Sequence, residues 1–342
     1  MKLFIVSVLL LLGACGAYLQ LSYEGDELDQ EVGVYKVLRQ LGEKPVNHEL
    51  ETYDSLLVSQ GRALIFTGQM NSPQTGKTSV ISPFFTCINC HNTDREDPDL
   101  RNATPENRLQ FVSQKRQGFF QATTFWGIVN RESWFNDDYV KKYGEEAQAA
   151  QKSLREAIQL CSRECSQGRE LTEEEMKAVL AYFWSLQLKL SDLALTKEQL
   201  SELTSVPKSK KERKKKIEWI KSQYMLASSA HIGNSPENKA TGFGLKGDKE
   251  NGRLIYRRSC RLCHYYNVAE ITQIYEGGDA IGKMVKAMAD NADYTLYEII
   301  RNGTHPGKKK EQYMPYYPVE RMSNQQIEDL RAYFESVVER EE

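Results

Sequence analysis

Histidine and tryptophan are scarce in this chain, with five and four residues among 342. Neither histidine nor methionine occurs between Asn92 and Leu171. No second Cys/His pair lies at zinc spacing near the cysteine motifs described below, which excludes a Cys/His zinc site there. Charge of one sign is missing too: the formal net charge is -2. That balance argues neither for a nucleic-acid partner nor for a strongly acidic one. The longest apolar run, Leu3 to Leu12, is too short to span a bilayer comfortably.

Against that background, one pentapeptide pattern occurs twice. It is Cys87-Ile88-Asn89-Cys90-His91 and again Cys260-Arg261-Leu262-Cys263-His264. Cys-Xaa-Xaa-Cys-His reads as covalent c-type haem attachment. Each thiol adds to one porphyrin vinyl group, and the two intervening residues match the vinyl separation. The adjacent histidine, His91 or His264, then reaches the iron as proximal ligand. The expected cofactors are therefore two covalently attached haem c groups, on Cys87 and Cys90 and on Cys260 and Cys263.

Met1-Lys2 followed by Leu3 to Leu12 has the charged and apolar parts of a secretory signal. It runs into Leu12-Gly13-Ala14-Cys15, which resembles a bacterial lipobox and makes Cys15 the expected lipidation site. Acyl chains there would hold the protein at a membrane surface. The cysteines then divide into one lipid site, four thioether sites, and Cys161 with Cys165. The expected location is the cell envelope, as a periplasm-facing lipoprotein.

The expected fold is mainly α, with two cytochrome c-like helical domains, each around one haem. Residues 1–15 are the signal peptide with its lipobox, 25–195 the first domain, 196–246 a basic linker, and 247–342 the second domain. In the second, Asp248 is placed to cap a helix that runs into the motif. Ile327, Leu330, Phe334 and Val337 recur every three or four positions and predict a terminal helix with one buried stripe. Residues 247 to 339 resemble a class I cytochrome c, whose terminal helices cross beside the haem. The first domain repeats the plan: a helix over Tyr53 to Phe66, then one after Thr172 with Met176, Val179, Leu180 and Phe183 as its stripe. Thr172 and Glu175 match a capping box. An insert rich in rings (Phe119, Phe120, Phe125, Trp126, Trp134, Phe135, Tyr139) reads as haem and core packing. Lys208 to Lys216 reads as a solvated linker or helix face, with docking to an acidic redox partner or anionic lipid as the alternative.

The sixth ligand sets much of a haem's potential. For the second haem the candidate is Met314, in a Met-Pro pair between motif and terminal helix, with Met322 and His305 as competitors. For the first haem, no methionine or histidine lies between Asn92 and Leu171. Cys161 and Cys165 lie there instead, after a predicted helix over Glu145 to Leu160. The stretch Cys161 to Leu171, with Met176 and Tyr182, resembles the cysteine-ligand region of thiosulfate dehydrogenases and related sulfur-oxidation cytochromes. That resemblance implies iron ligation by Cys161. Cys165 departs from the family pattern and leaves open which cysteine binds. A Cys161–Cys165 disulfide, or a ligand from Met70 or His48, are the alternatives.

The function expected from these features is electron transfer at the cell envelope, with redox proteins of an electron-transport chain as partners. The alternative is an enzyme oxidising a sulfur anion such as thiosulfate at a Cys-ligated haem. That alternative needs cations near the iron, for which Arg131, Arg155 and Arg163 are candidates.

Overall fold

A computed structural model describes residues 23–24, 27–73, 76–205, 207–227, 230–264, 295–304 and 309–338. The signal segment, Cys15 and His305 lie outside the described residues. Twelve α-helices and two short antiparallel hairpins form the regular structure among the described residues. In chain order the helices are α1 (Val34–Gln40), α2 (Ser55–Thr67), α3 (Pro105–Gln114), α4 (Asp137–Tyr143), α5 (Glu145–Lys152), α6 (Leu154–Leu160), α7 (Glu173–Ser185), α8 (Lys197–Thr204), α9 (Lys210–Lys221), α10 (Lys249–Ile255), α11 (Leu296–Asn302) and α12 (Asn324–Val338). None is long and apolar enough to cross a membrane.

The chain divides into two compact units. The first comprises residues 1–44 and 189–220. Its described part holds α1, α8 and most of α9. The basic run lies largely on α9, where Lys216 turns inward and donates to the Glu202 and Ser205 carbonyls at 2.5 and 2.7 Å. Lys189 pairs with Glu31 at 2.6 Å.

The second unit, residues 45–188 and 221–342, contains both Cys-Xaa-Xaa-Cys-His motifs. In it α2 packs on α7, and α10 packs on α12. Local chemistry sets the ends of these helices. Asp54 caps α2 by accepting from Leu57 N at 2.8 Å, and Gly68 at φ +72° ends it. Thr172 and Glu175 form the expected capping box on α7. Asp248 accepts from Glu250 N and Asn251 N to start α10. The α10–α12 contact is also polar: Asp329 of α12 accepts from Asp248 N at 2.8 Å and Asn251 Nδ2 at 2.6 Å.

Both helix pairs cross at a glycine. A Cβ on Gly61 of α2 would stand 1.9 Å from the Ala178 carbonyl oxygen and 2.9 Å from Tyr182 Cβ. A Cβ on Gly252 of α10 would stand 1.9 Å from the Asp329 carbonyl oxygen and 2.9 Å from Tyr333 Cβ. The same contact, glycine against a carbonyl and a tyrosine one turn later, thus occurs beside each motif.

Two expectations change in detail. The predicted helix over Glu145 to Leu160 is broken at Ser153, whose backbone is extended (φ -133°, ψ 115°) and whose hydroxyl caps α6 by accepting from Glu156 N. Serine competes with its own helix in this way. The stripe on α7 is wider than four residues: Ala178, Ala181, Tyr182 and Trp184 are also buried. Ile327, Leu330 and Phe334 of α12 are buried as expected, and Val337 is half-buried.

Gly61→Ala and Gly252→Ala should each force backbone apart at a helix crossing. We expect each to destabilise the protein by about 1–3 kcal/mol, read as a lower midpoint in guanidinium unfolding. An unchanged midpoint would remove the crossing as a packing constraint.

Candidate cofactor sites

The first motif opens on a cavity enclosing about 1450 Å³ of atom-free space, part of it open to solvent. Cys87, Cys90 and His91 line one part of its wall, and Cys161 and Cys165 line another. Apolar side chains such as Leu64, Ile81, Leu154 and Phe183 supply much of the rest. Asn89 fixes the motif's entrance, its side chain accepting from Thr86 N at 2.7 Å.

His91 is oriented from behind. Its Nδ1 stands 2.6 Å from the Thr123 carbonyl oxygen, so Nδ1 carries the proton and Nε2 is left with its lone pair. Phe125 stacks on the ring at 4.3 Å and 17°. Burial pushes the imidazole down to about 4, which keeps it neutral and able to ligate. Burial also pushes the Cys87 thiol up to about 12 and raises Cys90. An apolar cavity with two thiols, an oriented neutral imidazole and further sulfur donors suits a covalently held haem.

Cys161 to Cys165 forms a π-helical turn continuing α6, closed by Ser166 N donating to the Cys161 carbonyl at 2.8 Å. Such turns concentrate at functional sites. Both thiols are free. A hydrogen bond to Cys161, together with burial, raises Cys165 well above an ordinary thiol. His48 has both ring nitrogens engaged, Nε2 with the Val129 carbonyl at 3.0 Å and Nδ1 with Asn47 Oδ1 at 3.2 Å. Met70 is buried away from the cavity wall.

The candidate cations do not converge. Arg155 pairs with Glu173, and Arg163 with Glu146 and Glu170, all on the outer surface. Arg131 lies behind the wall, its Nη1 donating to Thr123 Oγ1 at 2.8 Å. The ring-rich insert does surround the cofactor space: Phe125, Trp134, Phe135 and Tyr139 line it. Phe119 instead joins the core around the second motif.

Around the second motif, α10 runs into a π-helical turn, Tyr256–Cys260, that delivers Cys260. Burial pushes the Cys260 thiol up to about 12 and lowers His264. Ile255, Tyr256, Ile300, Tyr317, Ile327 and Phe334 belong to the adjoining core, against which Cys260 and Met314 both pack. The Met314 loop is tightly held. Met314 N donates to Thr304 Oγ1 at 2.8 Å, and Thr304 N donates to the Met314 carbonyl at 2.9 Å. Gly303, at φ +66°, leaves room for that carbonyl, which a Cβ would approach to 2.6 Å. Arg301, fully buried, donates to the Tyr317 and Met322 carbonyls at 3.0 and 2.8 Å. Met322 packs in this core.

The same loop reaches the first cavity. Tyr313, Pro315 and Tyr316 line that cavity, and the Tyr313 hydroxyl donates to the Cys165 carbonyl at 2.7 Å. No spacing in the sequence marks these tyrosines, or Tyr143 of α4, as lining the cavity. Behind both motifs lies a buried ion network. Arg321 makes a two-point contact with Glu96, at 2.7 and 3.0 Å, and donates through Nε to the Phe120 carbonyl at 2.9 Å. Glu96 also accepts from Thr124 N at 2.9 Å and Asn92 Nδ2 at 3.2 Å. Arg108 stands 2.9 Å from Asp97 and donates to the Glu320 carbonyl at 2.6 Å. Burial alone would raise Glu96, but Arg321 and then Arg108 hold it down at about 2.

Glu96→Gln should cost about 3–5 kcal/mol, since it leaves Arg321 buried without its anion. The pH dependence has a definite sign. Glu96 is held below its ordinary value of 4.5, so it contributes stability above that value and loses it as pH falls through about 2. Guanidinium unfolding of wild type should therefore weaken between pH 4.5 and 2, and E96Q should lose less across that window. Parallel pH profiles would reject this role for Glu96.

Residues 249–337 match the family model described as Cytochrome c. Neither curated proteins nor solved structures gave a match to the chain. The matched stretch begins at α10, contains Cys260, Cys263, His264 and the Met314 loop, and ends in α12. Residues 249–337 are a cytochrome c domain, which implies a haem c held covalently through Cys260 and Cys263 and a role in electron transfer.

Proposed function

We propose that the protein is a di-haem c-type cytochrome that passes electrons at the cell envelope, with its other haem on Cys87 and Cys90. The observation that carries this reading is the repeated arrangement beside the two motifs. Each has a helix pair crossing at a glycine, Gly61 on Ala178 and Gly252 on Asp329. His91 is the proximal ligand of the first haem and His264 that of the second. The first cavity, with His91 Nδ1 tied to the Thr123 carbonyl, supports this.

Met314 is the sixth ligand of the second haem. Its support is the loop that Thr304 and Arg301 hold beside the core containing Cys260. Cys161 is the sixth ligand of the first. It lines the same cavity as His91, at the start of the π-helical turn that ends α6. A thioether raises a haem's potential, and an anionic sulfur favours the ferric state. Electrons would then run from the first haem to the second. The path crosses one loop: Tyr316 lines the first cavity, and Tyr317 packs in the core that Cys260 adjoins. Redox proteins are the expected partners, and a lipid on Cys15 holds the chain at the membrane surface.

The haem content, read by pyridine haemochrome and intact mass, should be two per chain, falling to one in a Cys87→Ala, Cys90→Ala variant. One haem in wild type would sink the reading. Cys161→Ala should abolish a thiolate-type low-spin paramagnetic signal while leaving the second haem unaltered. Met314→His should lower the potential of the second haem alone, as imidazole replaces thioether. A titration curve that does not move would remove Met314 as ligand.

A further inference from the structure

We propose that Cys161 and Cys165 are a dithiol/disulfide couple built into the wall of the first cofactor cavity, giving the protein a two-electron site besides its irons. The inference rests on the di-haem reading and goes beyond it.

Four observations carry the inference. The two thiols are free, one turn apart and close enough to interact. Both line the cavity that holds His91, so neither is hidden from the cofactor space. They lie at the two ends of a π-helical turn, where the ordinary helical register has been given up. On an intact α-helix, β-carbons one turn apart stand about 5–6 Å from each other, and a disulfide needs about 3.5–4.5 Å. A distorted turn removes that obstacle. Finally, the turn is held from outside by Tyr313, donating to the Cys165 carbonyl, and by Ser82, whose hydroxyl donates to the Ser166 carbonyl at 2.5 Å. Closing the bridge can therefore proceed by side-chain rotation within a fixed frame.

One S–S bond forms between Cys161, as thiolate, and Cys165, whose S–H bond breaks. Two electrons leave one at a time to the methionine-bound haem, which a redox partner protein reoxidises in between, and one proton passes to water at the cavity mouth. A methionine-bound haem lies at higher potential than protein dithiol couples, so the transfer runs downhill. Once in the bridge, Cys161 is no longer a thiolate, and the first iron loses that ligand.

The test uses the full-length holoprotein, reduced completely, freed of reductant under argon, and titrated with ferricyanide. Thiols are then trapped by alkylation in acid, and peptides are read by mass spectrometry. Wild type should consume twice the oxidising equivalents of Cys165→Ser, and its oxidised form should yield peptides linked through Cys161 and Cys165. Cys161→Ser should behave like Cys165→Ser, and retained haem absorption shows that either variant has folded. Equal consumption by wild type and variants, with both thiols alkylated in the oxidised protein, overturns the proposal. Failure of the di-haem reading is distinguishable: with one haem, the ratio becomes three to one. A link that forms without altering the first haem's paramagnetic spectrum keeps the couple and removes Cys161 as ligand.

Discussion

The contact between Arg321 and Glu96 is the constraint on which the larger unit depends. Glu96 lies in the loop just after the first motif, and Arg321 just before the terminal helix of the cytochrome c domain. Both are almost completely buried. Removing two charges from water is costly, and only good geometry with full hydrogen bonding offsets it. That condition is met here: Glu96 takes two bonds from Arg321 and further ones from Thr124 and Asn92. Such a pair is a poor source of net stability, but it tolerates few other arrangements. It therefore fixes the register between the loop that presents His91 and the loop that presents Met314.

From that register follows the shared wall. Within six residues, Tyr313 to Pro318, the side chains serve two different sites. Tyr313 and Tyr316 face the first cavity, while Met314 and Tyr317 pack with the second core. Arg301 and Thr304 hold the backbone of this segment, so neither set can shift without the other. Main-chain contacts reinforce the join: Phe119 N donates to the Arg258 carbonyl, and Ser259 Oγ donates to the Phe119 carbonyl. The turn carrying Cys260 is thereby tied to the insert that follows the first motif.

Much of this was legible in the residues. Caps and periodicity located α7, α10 and α12, because their signals are local. Cysteine spacing located the motifs for the same reason. The glycine crossings were not legible, since Gly61 and Gly252 acquire meaning only when another helix arrives. Glu96 and Asp97 look like solvated loop charge, and nothing nearby in sequence marks their partners, which come from Arg321 and from α3. The break at Ser153 was missed because its apolar spacing continues through it. The cationic candidates Arg155 and Arg163 were chosen by proximity along the chain, and the fold spends them on surface carboxylates instead.

The raised Cys260 thiol carries a consequence for biogenesis. A sulfhydryl held protonated by burial is a weak nucleophile. Vinyl addition in the cytochrome c domain accordingly favours an open polypeptide, in which that sulfur still meets water.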